Sequence, residues 1–299
     1  MRILLAVVSA VTLAAIGCSA PTYSEEELSS TSNAIKEPEA AAACTAESTC
    51  ATIKESSSPS SCSLLVVFDG SGVYSPDTNS NVGKMFKEAR GASATSGDEG
   101  LNGEVVDAST TRVYIEGVPS LPFGASAERV DRGRSAICQH LAVRAADACD
   151  IVLIGYSRGA FIANQLAHAL NDEGCADGSH KGQRIAFLGA FDPVNNQMGS
   201  EWENNAGDDQ SWAGSVPSNV ETVLQVYKDP KKDPRGGIEG ASLTTTLMGT
   251  GAAASSCNAA MTSKNHPDGK AWHHGQLGHG TLPLETMKCA LDRSDIHLF

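Results

Sequence analysis

Ser157 stands at the centre of Gly155-Tyr156-Ser157-Arg158-Gly159, and the chain also supplies the two side-chain types that could make its hydroxyl reactive. A serine hydroxyl is a weak nucleophile near neutral pH. It needs a base to take its proton and a third group to orient that base. Downstream, acids stand in Phe191-Asp192-Pro193-Val194 and in Lys228-Asp229-Pro230, and three of the eight histidines (His273, His274 and His279) fall in the Gly-rich run 271–280. Serine, acid and histidine in one site would transfer an acyl group through a covalent intermediate. This chemistry needs neither a metal nor an organic cofactor.

The elements around Ser157 favour that reading over a plain turn. Residues 151–154, Ile-Val-Leu-Ile, form a short continuous apolar run, as expected of a central parallel strand covered on both faces, and residues 158–170 have helical character. Strand, Gly-x-Ser-x-Gly and helix in that order make a nucleophile elbow, in which glycines let strand and helix approach while the serine is held on a strained turn. A helix that begins directly after Ser157 also points its first N–H groups at any oxyanion beside the serine, which makes the Arg158 amide one expected donor. The competing reading is a tight strand-to-helix turn with Ser157 as a simple cap.

The rest of the chain reads as alternating strands and helices. Strands are expected at 63–68, 111–118, 184–191 and 220–227, and helices at 81–90, 126–148 and 283–291. This alternation predicts an α/β domain with a mostly parallel central sheet and helices on both faces. Asp192 and Asp229 then lie at strand carboxyl ends, where such sheets collect their ligands and catalytic groups. Along the chain the order is serine, acid, histidine.

Further motifs resemble a known family. Phe68-Asp-Gly-Ser-Gly72, Thr78-Asn-Ser-Asn-Val82, Gly155-Tyr-Ser-Arg-Gly-Ala160 and Phe191-Asp-Pro-Val194 are similar to motifs of the α/β-hydrolase family that includes the phospholipase effectors of bacterial type VI secretion. The resemblance spans most of residues 64–280. It implies an α/β-hydrolase fold, Ser157 as nucleophile, Asp192 as acid, and a lipid or phospholipid ester as substrate. The family's histidine follows a tryptophan, and Trp272 is the one tryptophan near a matching segment. Aligning Trp272 and Gly275 with that motif puts Leu277 where the histidine belongs, so the base lies earlier or later. His274 is the nearest counterpart, with His279 and His273 as alternatives, and Asp229 is the rival acid. A weaker resemblance links Cys149-Asp-Ile-Val-Leu-Ile-Gly-Tyr-Ser157 to cutinases.

For the oxyanion, the second donor is expected from the Asp69–Gly72 turn, at Ser71. That turn lacks the Gly-Lys-Ser/Thr ending of a phosphate loop. His140 and His168 sit in expected helices and read as packing or surface residues, whereas His180, His266 and His297 have no evident partner. Residues 195–219 hold Trp202 and Trp212, and a polar segment of that length reads as a lid or binding loop.

The ends of the chain bear on where the protein works. Residues 1–17 read as an export signal, because one basic residue precedes an apolar run too short to span a bilayer. Ala15-Ile16-Gly17-Cys18 resembles a bacterial lipobox, which implies a lipid-anchored Cys18 and, in a Gram-negative host, the outer membrane; cleavage near Ala20 and free secretion is the alternative. Residues 18–61, rich in Ser, Ala, Glu and Thr, read as a tether, which leaves 62–299 as one catalytic domain. The net charge of −13 argues against binding nucleic acid or a bare anionic membrane.

Of the nine cysteines, eight remain after Cys18, and no pair has zinc-site spacing. In an exported protein disulfides are the default. Cys44 with Cys50 and Cys138 with Cys149 are possible pairs. Together these readings lead us to expect an exported, lipid-tethered serine esterase. A soluble-ester, cutinase-like hydrolase and a non-catalytic surface lipoprotein are the competing expectations.

Overall fold

The computed structural model describes residues 62–95, 106–118, 126–144, 149–193, 215–228, 255–261, 266–269 and 272–299. The leader, Cys18, the tether, Trp202, Trp212 and Asp229 lie outside them. Among the described residues no helix is long and apolar enough to cross a membrane.

Seven strands build one sheet: β1 (Cys62–Phe68), β2 (Ala92–Thr95), β3 (Thr110–Ile115), β4 (Cys149–Tyr156), β5 (Ile185–Phe191), β6 (Val220–Lys228) and β7 (Ser255–Met261). Their spatial order is β2-β3-β1-β4-β5-β6-β7, and every neighbouring pair is parallel. The helices are α1 (Asn81–Glu88), α2 (Ser126–Val143), α3 (Arg158–Asp172), α4 (His274–His279) and α5 (Thr281–Arg293).

A parallel sheet needs cover on both faces, and the alternation along β1 shows how it is shared. Leu64, Val66 and Phe68 point to one face, where Ile137 and Leu141 of α2 and Phe161 and Leu166 of α3 pack. Leu65 and Val67 point to the other, against Val82, Met85 and Phe86 of α1, Leu277 of α4 and Leu284, Met287 and Leu291 of α5. From β1 the chain runs out to the edge strand β2, returns to β3 between the two, then crosses to β4 on the other side of β1 and builds outward through β5, β6 and β7. The carboxyl ends of β1 and β4 therefore flank the point where the winding direction reverses, the place where open α/β sheets bind their ligands.

The expected cysteine pairing 138–149 does not form. Cys149 opens β4 directly opposite Cys62 at the start of β1, with their Cα atoms 4.6 Å apart, and these two are bonded. Cys138 on α2 bonds instead to Cys175 just past α3, at a Cα separation of 5.8 Å. The reason is orientation: α2 packs across α3, while Cys149 already belongs to the sheet. Cys289 is also disulfide-bonded, and Cys44 and Cys50 lie outside the described residues.

Candidate active site

The run after β4 turns through Ser157 and enters α3 at Arg158. Ser157 has φ 55° and ψ −123°, a region that costs a non-glycine residue about 1–3 kcal/mol. Two contacts hold it there. Its amide donates to the Phe191 carbonyl at 2.9 Å, and Gly159 lies so close to the end of β1 that an added Cβ would sit 2.3 Å from the Phe68 carbonyl oxygen. A strained serine, set between a parallel strand and a helix at the carboxyl edge of this sheet, identifies an α/β-hydrolase fold.

β5 delivers Asp192 beside it. The Asp192 amide donates to the Val226 carbonyl of β6 at 2.7 Å, and its φ of 39° swings the side chain off the strand line. Opposite, His274 begins α4. The helix is short and holds two glycines, yet its start is fixed by a capping box in which the Gln276 side chain accepts from the His273 amide at 2.9 Å. Leu277, fully buried, anchors it to the core.

These three side chains meet. His274 Nδ1 lies 2.6 Å from Asp192 Oδ2, and His274 Nε2 lies 2.8 Å from Ser157 Oγ. A carboxylate can only accept, so the His274 Nδ1–H donates to Asp192 and keeps its proton, leaving the Nε2 lone pair facing the serine O–H. All three are buried, Asp192 most completely at 1% exposed against 8% for Ser157 and 6% for His274. Such an arrangement can deprotonate the serine as it attacks and stabilise the imidazolium that results.

The other sequence candidates fall elsewhere. His273 is exposed and serves as the N-cap of α4. His279, half-buried at the far end of α4, meets Tyr156 edge-on at 5.9 Å and is held below its ordinary pKa, first by burial and then by the nearby Lys84 and His274. Neither is hydrogen-bonded to Ser157 or Asp192. Arg158 is the first residue of α3, and the turn after β1, which includes Ser71, packs onto the elbow, where a Cβ on Gly70 would lie 3.4 Å from that of Ser157. In this turn the amides of Gly70, Gly72 and Val73 bond to Asp69 Oδ1, the Val118 carbonyl and the Gly70 carbonyl. The Ser71 amide has no acceptor among the described residues.

Tyr156 is a site residue that the motif reading passed over. Its ring stacks on His274 at 5.0 Å and its hydroxyl donates to the His274 carbonyl at 3.2 Å. Its only signal in the sequence is an aromatic residue in the second position of the elbow motif. Asp69, Ser80 and Asn81 likewise fall within motif segments 68–72 and 78–82 and carry no separate signal in the sequence.

Among the described residues, one cluster has metal-ligating types: Cys62, Cys149 and His140, whose ligand atoms lie within 4.8 Å of one another. The two sulfurs are bonded to each other, so no thiolate is offered. His140 and His168 are buried, as expected of packing residues, and His168 Nε2 lies 3.0 Å from the Ser215 carbonyl. His266, with no expected partner, packs edge-on against Trp272 at 4.7 Å.

No protein-family model and no curated protein matches the chain. Among solved structures it is similar to the Tle1 effector bound to the VgrG spike of the type VI secretion system, with 16% identity, covering 61% of this chain and 50% of that one, at a TM-score of 0.33. It is similar to an uncharacterised protein from Pseudomonas aeruginosa, with 12% identity, covering 93% of this chain and 50% of that one, at 0.41. A cutinase-like protein from Cryptococcus sp. matches with 13% identity, covering 81% of this chain and 98% of that one, at 0.36. This chain spans half the length of the first two. The fold assignment rests on the sheet order and the elbow.

Proposed function

We propose that the protein is an exported serine hydrolase that cleaves a carboxylic ester, of a lipid or phospholipid, through an acyl-enzyme. The observation that carries the proposal is the hydrogen-bonded chain from Ser157 Oγ through His274 to Asp192 at the carboxyl edge of a parallel sheet. Ser157 Oγ attacks the ester carbonyl as its proton passes to His274 Nε2. The new C–O bond makes a tetrahedral oxyanion, held by the amides of Arg158 and Ser71. His274 then gives its proton to the departing alcohol, and a water activated by the same nitrogen releases the acid and frees the serine. Asp192 fixes the ring and its tautomer throughout.

The lipid nature of the ester is supported by the motif resemblance, and export and lipid attachment by the sequence of the first 18 residues. The test is labelling with a fluorophosphonate, followed by turnover of short- and long-chain esters and of phospholipid vesicles. Rapid labelling that disappears in Ser157→Ala, with the melting curve unchanged, supports the reading. Ester turnover that survives Ser157→Ala removes it.

A further inference from the structure

Asp69 directly follows β1 and is almost completely buried, 1% exposed. Three donors converge on its carboxylate. The Gly70 amide donates to Oδ1 at 2.9 Å, and the Ser80 hydroxyl at 2.6 Å and the Tyr114 hydroxyl at 3.0 Å donate to Oδ2. Burial pushes its pKa up to about 6, which makes the ionised form a costly group to keep in this position. A neutral or apolar residue would fold at lower cost.

The position of those bonds explains what the charge does. Fixing the Gly70 amide on Asp69 and closing the turn with Val73 N–H on the Gly70 carbonyl at 3.1 Å leaves the Ser71 amide exposed, on a turn that touches the elbow. Ser80, which binds Asp69, is also the N-cap of α1 and accepts the Gly83 amide at 2.9 Å. The next residue, Asn81, reaches α4: its Nδ2 donates to the carbonyls of Leu277 and Gly280 at 3.1 and 3.0 Å. Lys84, one turn on, donates to the His279 carbonyl at 2.9 Å. The start of α1 therefore grips the turn after β1 on one side and the histidine-bearing helix on the other.

We infer that Asp69 is a positioning residue: its carboxylate holds the Gly70–Gly72 turn so that the Ser71 amide faces the oxyanion, and Ser80 and Asn81 key that turn to the helix carrying His274. The inference rests on the proposed ester chemistry at Ser157. No group is transferred to Asp69, and the proton stays with the Ser157–His274 pair.

The test compares p-nitrophenyl butyrate with its thionoester analogue, in which sulfur replaces the carbonyl oxygen. Sulfur accepts hydrogen bonds poorly and draws little on the oxyanion donors. Asp69→Asn should lower kcat on the oxygen ester roughly 10- to 100-fold with KM little changed, and lower it much less on the thionoester. Tyr114→Phe removes one of the three donors and leaves the carboxylate. It should show a smaller loss with the same bias, and it carries the test if Asp69→Asn does not fold. Equal losses on both substrates, or no loss in a folded variant, overturn the positioning role while leaving the ester reading intact. A wild-type protein with no Ser157-dependent turnover of either ester overturns the reading itself and this inference with it.

Discussion

Tyr156 lies on the face of His274, 5.0 Å between ring centroids with the planes 25° apart, and its hydroxyl donates to the carbonyl of that same residue. The residue just before Ser157 thus clamps the ring that accepts the serine's hydrogen bond. Stacking limits how far the imidazole can tilt, and the hydroxyl bond limits how far the start of α4 can drift. Tyr156→Phe keeps the stack and loses the bond, so kcat should fall about threefold to tenfold, a modest loss for one neutral hydrogen bond. Tyr156→Ala should cost more than 100-fold, because both restraints go. Ester turnover by both variants, with circular dichroism as the folding control, checks the ranking.

The geometry around the three facing side chains sets a second ranking. His274→Ala should cost nearly as much rate as Ser157→Ala, because such groups act as a unit, and Asp192→Asn should cost on the order of 10⁴-fold through the wrong tautomer. His279→Ala should cost far less, since that ring meets Tyr156 and the Asn79 backbone and is not bonded to the serine. Steady-state turnover of one activated ester by the four variants checks this. A His279→Ala loss as large as that of His274→Ala would move the base.

Much of this site was legible in the sequence because it sits where the chain has least freedom. The apolar run of β4 and the glycines on either side of Ser157 admit few local structures, and Asp192 stands directly after β5, where its apolar run ends. What was missed has weak local signals. β7 is the edge strand Ser-Ser-Cys-Asn-Ala-Ala-Met, which has no apolar run and is recruited by pairing with β6. β2 is four residues with a single buried position. Helix α4, His-Gly-Gln-Leu-Gly-His, reads as loop because of its glycines. Yet Gly278 is required, since a Cβ there would come within 2.2 Å of the Tyr156 ring. The contact that selects glycine is made by a residue 122 positions away in the chain, so no local window could reveal it.

Both located disulfides brace the fold at the end remote from Ser157. Cys62–Cys149 joins the starts of β1 and β4, and Cys138–Cys175 ties α2 to the segment after α3. They span 87 and 37 residues, for which loop-closure entropy gives roughly 4–5 kcal/mol each. Cys138→Ala with Cys175→Ala should lower the melting temperature markedly while leaving the folded protein's labelling rate within about threefold. Peptide mapping of the unreduced protein should recover 62–149 and 138–175 links and no 138–149 link.

The leader makes a separate case. An apolar run ending in Gly17-Cys18 before a polar tether should yield a protein that stays with membranes without a spanning helix, because a lipidated N-terminal cysteine carries several acyl chains. Cys18→Ala should move the protein to the soluble fraction. A wild-type protein that is already soluble, with its mature N-terminus beyond Cys18, would remove the anchor.

The raised pKa of Asp69 ties stability to pH in the opposite sense from a salt-bridged carboxylate. Its ordinary value of 3.8 rises to about 6 in the folded protein because burial disfavours the charge. Between those values the folded state holds a proton that the unfolded state has lost, so this contribution is complete below about pH 4 and declines as pH rises through 6. At 1.36 kcal/mol per pH unit the loss is on the order of 3 kcal/mol. Asp69→Asn has no such proton to lose. The stability of wild type relative to Asp69→Asn should therefore fall from pH 4 to pH 7, read as the difference between their urea midpoints at each pH. A difference that stays flat or rises across that window would mean that the three donors, which favour the carboxylate, offset the burial that opposes it.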